Sequence, residues 1–168
     1  MIAIILMILS LLLDGVLTNY LPYMTNDLSL FTPLLTVVTI FIICPFYYKQ
    51  TKKYLIHVFC LGFIYDLCYT NLLFWNGLLF VVLALLSKFI YKNLDVNWFK
   101  QIFLVVFIIA IYESMNALII FCFQLVPITF SLLFYKILHS LILNILYVEI
   151  IYFLLKLVPK KYKKITIN

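Results

Sequence analysis

Long apolar runs, separated by short polar stretches, fill this chain from end to end. A helix that crosses the roughly 30 Å core of a bilayer needs about 20 mostly apolar residues. Six segments approach or exceed that length: residues 1–21, 30–48, 54–71, 72–91, 98–124 and 128–158. The runs are apolar at odd and even positions alike, unlike the alternating pattern of a β-barrel strand. The pattern therefore predicts an all-α membrane protein, a six-transmembrane-helix bundle forming a single domain over residues 1–168.

Composition and charge support this prediction and add an orientation. The chain is 67% hydrophobic and 11% charged, with a mean hydropathy of +1.20, which leaves too little polar surface for a soluble globule. All basic residues are Lys, and every one except Lys136 falls at span ends that share a face if the N-terminus is cytoplasmic. The positive-inside rule therefore predicts that both termini are cytoplasmic. The net charge of +6 is expected to anchor the chain to anionic lipid head groups rather than to nucleic acid.

No sequence pattern indicates catalysis or a bound cofactor. The four cysteines lie inside predicted spans without CxxC spacing, so we expect small apolar packing residues rather than disulfides or a metal site. Tyr65 and Asp66 form a Tyr-Asp pair like that of intramembrane aspartyl proteases, but the Gly-x-Gly-Asp motif of their second acid is missing from the sequence. We therefore expect a protein that is not an enzyme, with no catalytic, cofactor-binding or metal-binding residues.

Three acids inside apolar runs are the strongest indication of a special site. Asp14, Asp66 and Glu113 lie in the first, third and fifth spans, each roughly 20 Å from the inner end of its span at about 1.5 Å per residue. An ionisable group near the bilayer centre costs a few kcal/mol and usually faces the bundle interior, a partner or a cavity. The shared depth suggests a common polar centre. The alternatives for these acids are interhelical hydrogen bonding, partner contact and lining of a ligand cavity.

Neighbouring polar and small residues add to this candidate site. Gly62 lies four residues before Asp66, which places a close-approach position and a carboxylate on one helix face. In the sixth span Lys136, Ser140, Asn144 and Tyr147 follow at helical spacing and form a polar ridge. Lys136 is expected to pair with an acid of another span.

Glu149 is a separate case in the same span. It lies thirteen residues after Lys136, about 220° around the helix. Glu149 therefore faces away from the polar ridge, towards the inner membrane interface or another subunit.

Three stretches of the chain resemble the rod shape-determining protein MreD family. They are LDGVLTNYLPY (13–23), DLSLFTPLLTVVTIFIICPFYY (27–48) and GFIYDLCYTNLLFWNGLLF (62–80). The most specific part is Gly62 and Asp66 followed by the turn at 71–77, and Asp14 matches the first-span acid of small low-GC Gram-positive members. From Trp98 onward the likeness is one of length, span number and hydropathy, so Glu113, Lys136 and Glu149 inherit no role from it.

The resemblance implies a non-catalytic scaffold subunit of the bacterial cell-elongation complex in the cytoplasmic membrane. Such proteins work beside MreC, the actin-like MreB, the RodA glycan polymerase and a class B penicillin-binding protein. They couple cytoskeletal filaments to peptidoglycan synthesis and cell shape. An MreC-like protein is therefore the expected direct partner.

The family's fold also resembles the S component of energy-coupling-factor transporters. The alternative function is therefore substrate binding in micronutrient uptake, with the acid layer holding a vitamin or metal. A His-rich N-terminus for a metal is missing from the sequence, and few Trp and no Arg side chains are present to hold a vitamin.

Overall fold

Six α-helices make up most of the described chain. The computed structural model describes residues 2–25, 33–47, 49–70, 72–94, 97–123 and 130–157. The helices are α1 (Ile2–Thr25), α2 (Leu35–Ile43), α3 (Thr51–Tyr69), α4 (Trp75–Asn93), α5 (Trp98–Cys122) and α6 (Phe130–Leu157). A 3-10 turn, Cys44–Tyr47, extends α2. The all-α prediction with six helices is confirmed.

Four of the helices are long and apolar enough to cross a membrane by length and composition: Ile2–Tyr20 in α1, Trp75–Asn93 in α4, Trp98–Cys122 in α5 and Leu133–Leu155 in α6. The chain therefore has the character of a multi-pass membrane protein. The other two predicted spans do not reach this standard. The apolar helix at α2 covers only Leu35–Tyr47, and α3 carries Lys52, Lys53 and Asp66 within its 19 residues.

Two helices begin later than the hydropathy pattern predicts. The predicted second span starts at residue 30, but Pro33 and Leu34 are not helical and α2 begins at Leu35; residues 30–32 lie outside the described part. The predicted fourth span starts at residue 72, but Phe74 has φ 67° and α4 begins at Trp75. Apolar side chains continue through both loop-to-helix junctions, so hydropathy alone does not mark these helix starts.

Helix α2 forms the centre of the bundle. All nine of its residues are buried, and it contacts α1, α4, α5 and α6. A helix that is apolar on every side is expected in such an interior position. The surrounding helices bury only one face each and expose many large apolar side chains on the other, including Ile5, Phe89 and Phe103.

The end of α2 is shaped by Pro45. Proline has no backbone N–H, so it cannot continue the hydrogen-bond ladder of an α-helix. The N–H of Cys44, directly before the proline, bonds to Phe41 O, which is three residues back rather than four. The last turn is therefore tighter than an α-helical turn. Tyr54 of α3 is fully buried and donates its hydroxyl to Ile40 O at 2.7 Å. A side chain of α3 therefore provides a donor at the tightened end of α2.

Helices α3 and α4 pack as a close antiparallel hairpin. A Cβ atom added at Gly62 would lie 2.6 Å from Asn76 O and 2.7 Å from Gly77 Cα, so only glycine allows this backbone approach. Phe74 precedes α4 in the left-handed region and its ring contacts Phe63, with centroids 5.1 Å apart. A non-glycine residue in this conformation is uncommon. Its ring contact helps to hold the chain reversal.

The cysteines differ in part from the sequence prediction. All four are free thiols. Cys44 is buried as expected for a packing residue, whereas Cys60, Cys68 and Cys122 lie on exposed helix faces. Packing therefore accounts for Cys44 alone, because the other three face outward from the bundle.

Candidate intramembrane polar site

Asp14 lies near the middle of the 24-residue α1 and bonds to the start of α2. Leu35 N–H donates to Oδ1 at 2.8 Å, and Thr36 N–H donates to Oδ2 at 2.9 Å. The N-cap residue, Leu34, has no capping side chain. Asp14 therefore supplies from another helix the acceptor that Ser, Thr, Asp or Asn usually supplies at an N-cap. The positive end of the α2 dipole favours a carboxylate at this place.

Asn144 bonds to the preceding amide of the same helix start. Leu34 N–H donates to Asn144 Oδ1 at 3.0 Å, and Asn144 Nδ2 donates to Ser140 O at 2.7 Å. Three consecutive amides of the chain at the start of α2 thus bond to side chains of α1 and α6. Asn144 and Asp14 both lie near the middle of their long helices, so α2 begins at mid-height in the bundle. An unsatisfied backbone N–H in hydrocarbon costs several kcal/mol, which these two side chains prevent.

Asp66 performs the same task for α4. Its Oδ2 accepts the N–H groups of Asn76 at 2.9 Å and Gly77 at 3.3 Å. Its Oδ1 accepts Asn76 Nδ2 at 2.7 Å and the Thr70 hydroxyl at 2.8 Å. The carboxylate is fully buried. As in α2, the N-cap residue of α4, Phe74, provides no capping side chain, so an acid of the preceding helix caps it.

The Asp66 network continues into α5. Tyr112 donates its hydroxyl to Asn76 Oδ1 at 2.9 Å, and both side chains are buried. One turn further, Trp75 Nε1 donates to Asn116 Oδ1 at 2.8 Å. The start of α4 is thereby fixed to α3 through Asp66 and to α5 through two further hydrogen bonds.

A second close approach ties α1 to α3 beside Asp14. Tyr69 donates its hydroxyl to Leu11 O at 2.8 Å, so its ring crosses α1 at Gly15. A Cβ atom at Gly15 would overlap the Tyr69 hydroxyl and ring. Glycine next to Asp14 therefore lets an aromatic side chain of α3 reach the α1 backbone.

Glu113 and Lys136 form an ion pair between α5 and α6. Lys136 Nζ lies 2.9 Å from Glu113 Oε2; the glutamate side chain is 4% exposed and the lysine side chain 50% exposed. The pairing expected for Lys136 is present, and its partner is Glu113. Lys136 neutralises an acid that would otherwise be buried alone.

The shared depth of the three acids suggested a common polar centre, and the structure shows which groups each acid contacts. Among the described residues, no hydrogen bond or ion pair joins Asp14, Asp66 and Glu113 to one another. Each acid is instead next to its own donors: the start of α2, the start of α4 and Lys136. Two of the acids cap helix starts, and the third is paired with a lysine.

Comparison with other proteins supplies no family for this chain. No protein-family model, curated protein or solved structure matches it.

Several residues of the site were not predicted from the sequence. Asn76 and Tyr112 complete the Asp66 network, and Tyr69 contacts α1 beside Asp14. Asn76 had a detectable signal, since it is a polar residue followed by glycine at the start of an apolar run. The two tyrosines had none, because thirteen tyrosines are spread along the chain.

The arrangement favours a structural task for both aspartates. All described contacts of their carboxylate oxygens come from donors within the bundle. A carboxylate held in this way fixes the position of a neighbouring helix. Within the described residues, no group of three or more His, Cys, Asp or Glu side chains could hold a metal ion.

Proposed function

We propose that this protein is an MreD-like scaffold of the bacterial cell-elongation complex, with six membrane spans and both termini in the cytoplasm. The observation that carries the proposal is the use of Asp14 and Asp66 as caps for neighbouring helices. These are the two acids that match the family pattern, and a scaffold needs them for a fixed arrangement of spans. Their described donors are backbone amides of neighbouring helix starts, together with the Asn76 side-chain amide and the Thr70 hydroxyl at Asp66.

The distribution of lysines supports the proposed orientation. Lys49, Lys52 and Lys53 lie at the α2–α3 connection, and Lys92 lies in the last turn of α4. Lys88 donates to Thr51, the first residue of α3, which brings these basic helix ends together. A shared basic end fits a cytoplasmic face with anionic lipids.

The expected partners are an MreC-like protein in direct contact, with MreB, RodA and a class B penicillin-binding protein in the same complex. The protein's role is to hold partner helices, so that cytoplasmic filaments and external wall synthesis remain coupled. It contributes no reaction step of its own.

One observation favours the S-component alternative. Three helix segments lack buried side chains among the residues whose burial is described. They are α1 after Gly15, α5 after Glu113 and α6 before Ser140. These three helices therefore extend beyond the packed layer at one end of the bundle, where a micronutrient could bind.

Affinity purification from native membranes in mild detergent tests both functions. Bound proteins and bound small molecules are identified from the same sample. Scaffolding predicts co-purification of an MreC-like protein without a retained micronutrient. A stoichiometric vitamin or metal together with an ATPase module would contradict scaffolding and support transport.

A further inference from the structure

One face of α6 is an exposed stripe that includes a carboxylate. Its members are Tyr135, Leu138, Ile142, Leu146, Glu149 and Phe153, all of them exposed. At about 100° per residue they fall within an arc of roughly 80°. The opposite face holds the buried Ser140, Asn144 and Val148. The stripe therefore points away from the bundle along about five turns.

Glu149 differs from the acids of the candidate site. Asp14, Asp66 and Glu113 are buried and bonded inside the bundle. Glu149 is exposed, and no described residue forms a hydrogen bond or ion pair with it. Its charge is therefore not balanced by the described part of its own chain.

The depth of Glu149 makes contact with water difficult. Leu155, the last residue of the candidate span, lies six residues further, about 9 Å along the helix axis. Helical side chains lean towards the helix N-terminus, which for Glu149 is towards the membrane centre. Lysine and arginine can extend from such depths to the interface, but the glutamate side chain is shorter. Exposure to lipid is therefore unfavourable for this side chain.

The lysine that follows Glu149 most closely in the sequence is not at the spacing of an ion pair within one helix. Lys156 follows seven residues later. Side chains on one helix pair at three or four residues' separation, not at seven. A second copy of the chain is an equally poor occupant, because a parallel arrangement would place one Glu149 beside another.

We infer that the α6 stripe binds a transmembrane helix of a different protein, one that carries a Lys, Arg or His side chain at the level of Glu149. The apolar members of the stripe provide packing area for that helix. The carboxylate selects it by charge and fixes its register. This inference deepens the proposed function but rests on it only for which complex the partner belongs to.

Photocrosslinking in native membranes tests the inference. A benzophenone amino acid is placed at Ile142 or Leu146 on the stripe. Matched control positions are Phe103 and Phe107 on α5, which are similarly exposed. We expect a protein adduct from the stripe positions alone, with the crosslinked peptide lying in an apolar span that contains a basic residue.

Charge variants show whether Glu149 selects the partner. Glu149→Leu is expected to reduce the adduct about tenfold, the effect of losing roughly 1.4 kcal/mol. Glu149→Gln, which retains an acceptor of the same shape, should reduce it less. Glu149→Lys should abolish the adduct, and replacing the partner's basic residue with Glu should restore it. Unchanged thermal stability of each purified variant shows that folding is intact.

Several outcomes would overturn the inference. They are an adduct that Glu149→Leu leaves unchanged, an adduct with a second copy or with the chain's own residues 158–168, and adducts with lipid alone. A partner with the basic span that lies outside the elongation machinery would support the inference and count against the proposed function. If an MreC-like protein co-purifies but the stripe gives no adduct, the proposed function is supported and the inference is overturned.

Discussion

At the scale of single residues, the two aspartates show how a buried carboxylate can be accommodated in an apolar bundle. Each accepts at least two backbone N–H groups from a helix other than its own. The N-cap residues themselves, Leu34 and Phe74, are apolar. A carboxylate bonded to a helix start is favoured by the helix dipole as well as by the hydrogen bonds. The chemistry of these acids is therefore that of an N-cap supplied from a neighbouring helix.

Replacing Asp66 with asparagine tests this interpretation. All four described contacts of the Asp66 carboxylate are donors, so an amide would place its own NH₂ group against another donor. We expect Asp66→Asn to lower the free energy of unfolding in detergent by roughly 3 kcal/mol, because buried donors lose their acceptor. Glu149→Gln makes the same chemical change at an exposed acid and should shift it by less than about 0.5 kcal/mol. Similar losses in both variants would contradict the capping role.

The close packing at Gly62 gives a second prediction. Gly62→Ala places a methyl group 2.6 Å from a backbone oxygen of α4, and a backbone cannot rotate away as a side chain can. We expect a loss of about 2 kcal/mol in the free energy of unfolding. The control is Gly77→Ala, whose new methyl would lie 3.4 Å from the Phe59 ring. The control should be neutral or stabilising, since alanine favours a helix. Equal effects at the two glycines would be evidence against the close approach of α3 and α4.

At the scale of helices, hydropathy predicted how many there are but not where α2 and α4 begin. Apolar residues lie directly before both starts (Leu34 before α2, Phe74 before α4), so mean hydropathy does not mark them. At both boundaries the backbone N–H groups donate tertiary hydrogen bonds to side-chain oxygens of Asp14, Asn144 and Asp66. The inward faces of Gly62 and Asp66 followed from their spacing. The spacing did not predict which backbone groups these two residues contact, because those contacts depend on how distant parts of the chain pack together.

The tightened end of α2 makes a prediction at this scale. Tyr54→Phe removes the hydroxyl that donates to Ile40 O and leaves that buried carbonyl with one donor fewer. We expect a loss of about 1–2 kcal/mol in the free energy of unfolding. The control is Tyr152→Phe at an exposed position of α6, which should have little effect. A loss no greater than that of the control would show that the hydroxyl bond does not stabilise the end of α2.

The contact between α5 and α6 can be tested with a double-mutant cycle. The variants are Glu113→Gln, Lys136→Met and the double variant, compared by free energy of unfolding. A coupling energy of roughly 1 kcal/mol is expected for a polar contact between membrane helices. Additive effects would mean that the ion pair contributes nothing to the packing of α5 against α6.

At the scale of the whole molecule, a short central helix is held by longer helices around it. α2 is buried on every side, while α1, α5 and α6 extend past its start. Membrane helices gain little from apolar contact with one another, because lipid is equally apolar. Close approaches and interhelical hydrogen bonds therefore hold α2 in place. The buried acids Asp14, Asp66 and Glu113 thus serve internal assembly, whereas Glu149 lies on the exposed outer face of α6.

Residue-resolved amide hydrogen exchange in lipid nanodiscs tests the capping of one helix by another most directly. The exchange of the Leu35 and Thr36 amides at the start of α2, and of the Asn76 and Gly77 amides at the start of α4, is compared between the wild type and two variants. Asp14→Asn should accelerate exchange at the start of α2 alone, and Asp66→Asn at the start of α4 alone. Unchanged exchange at both starts, or equal acceleration at both in either variant, would contradict the account.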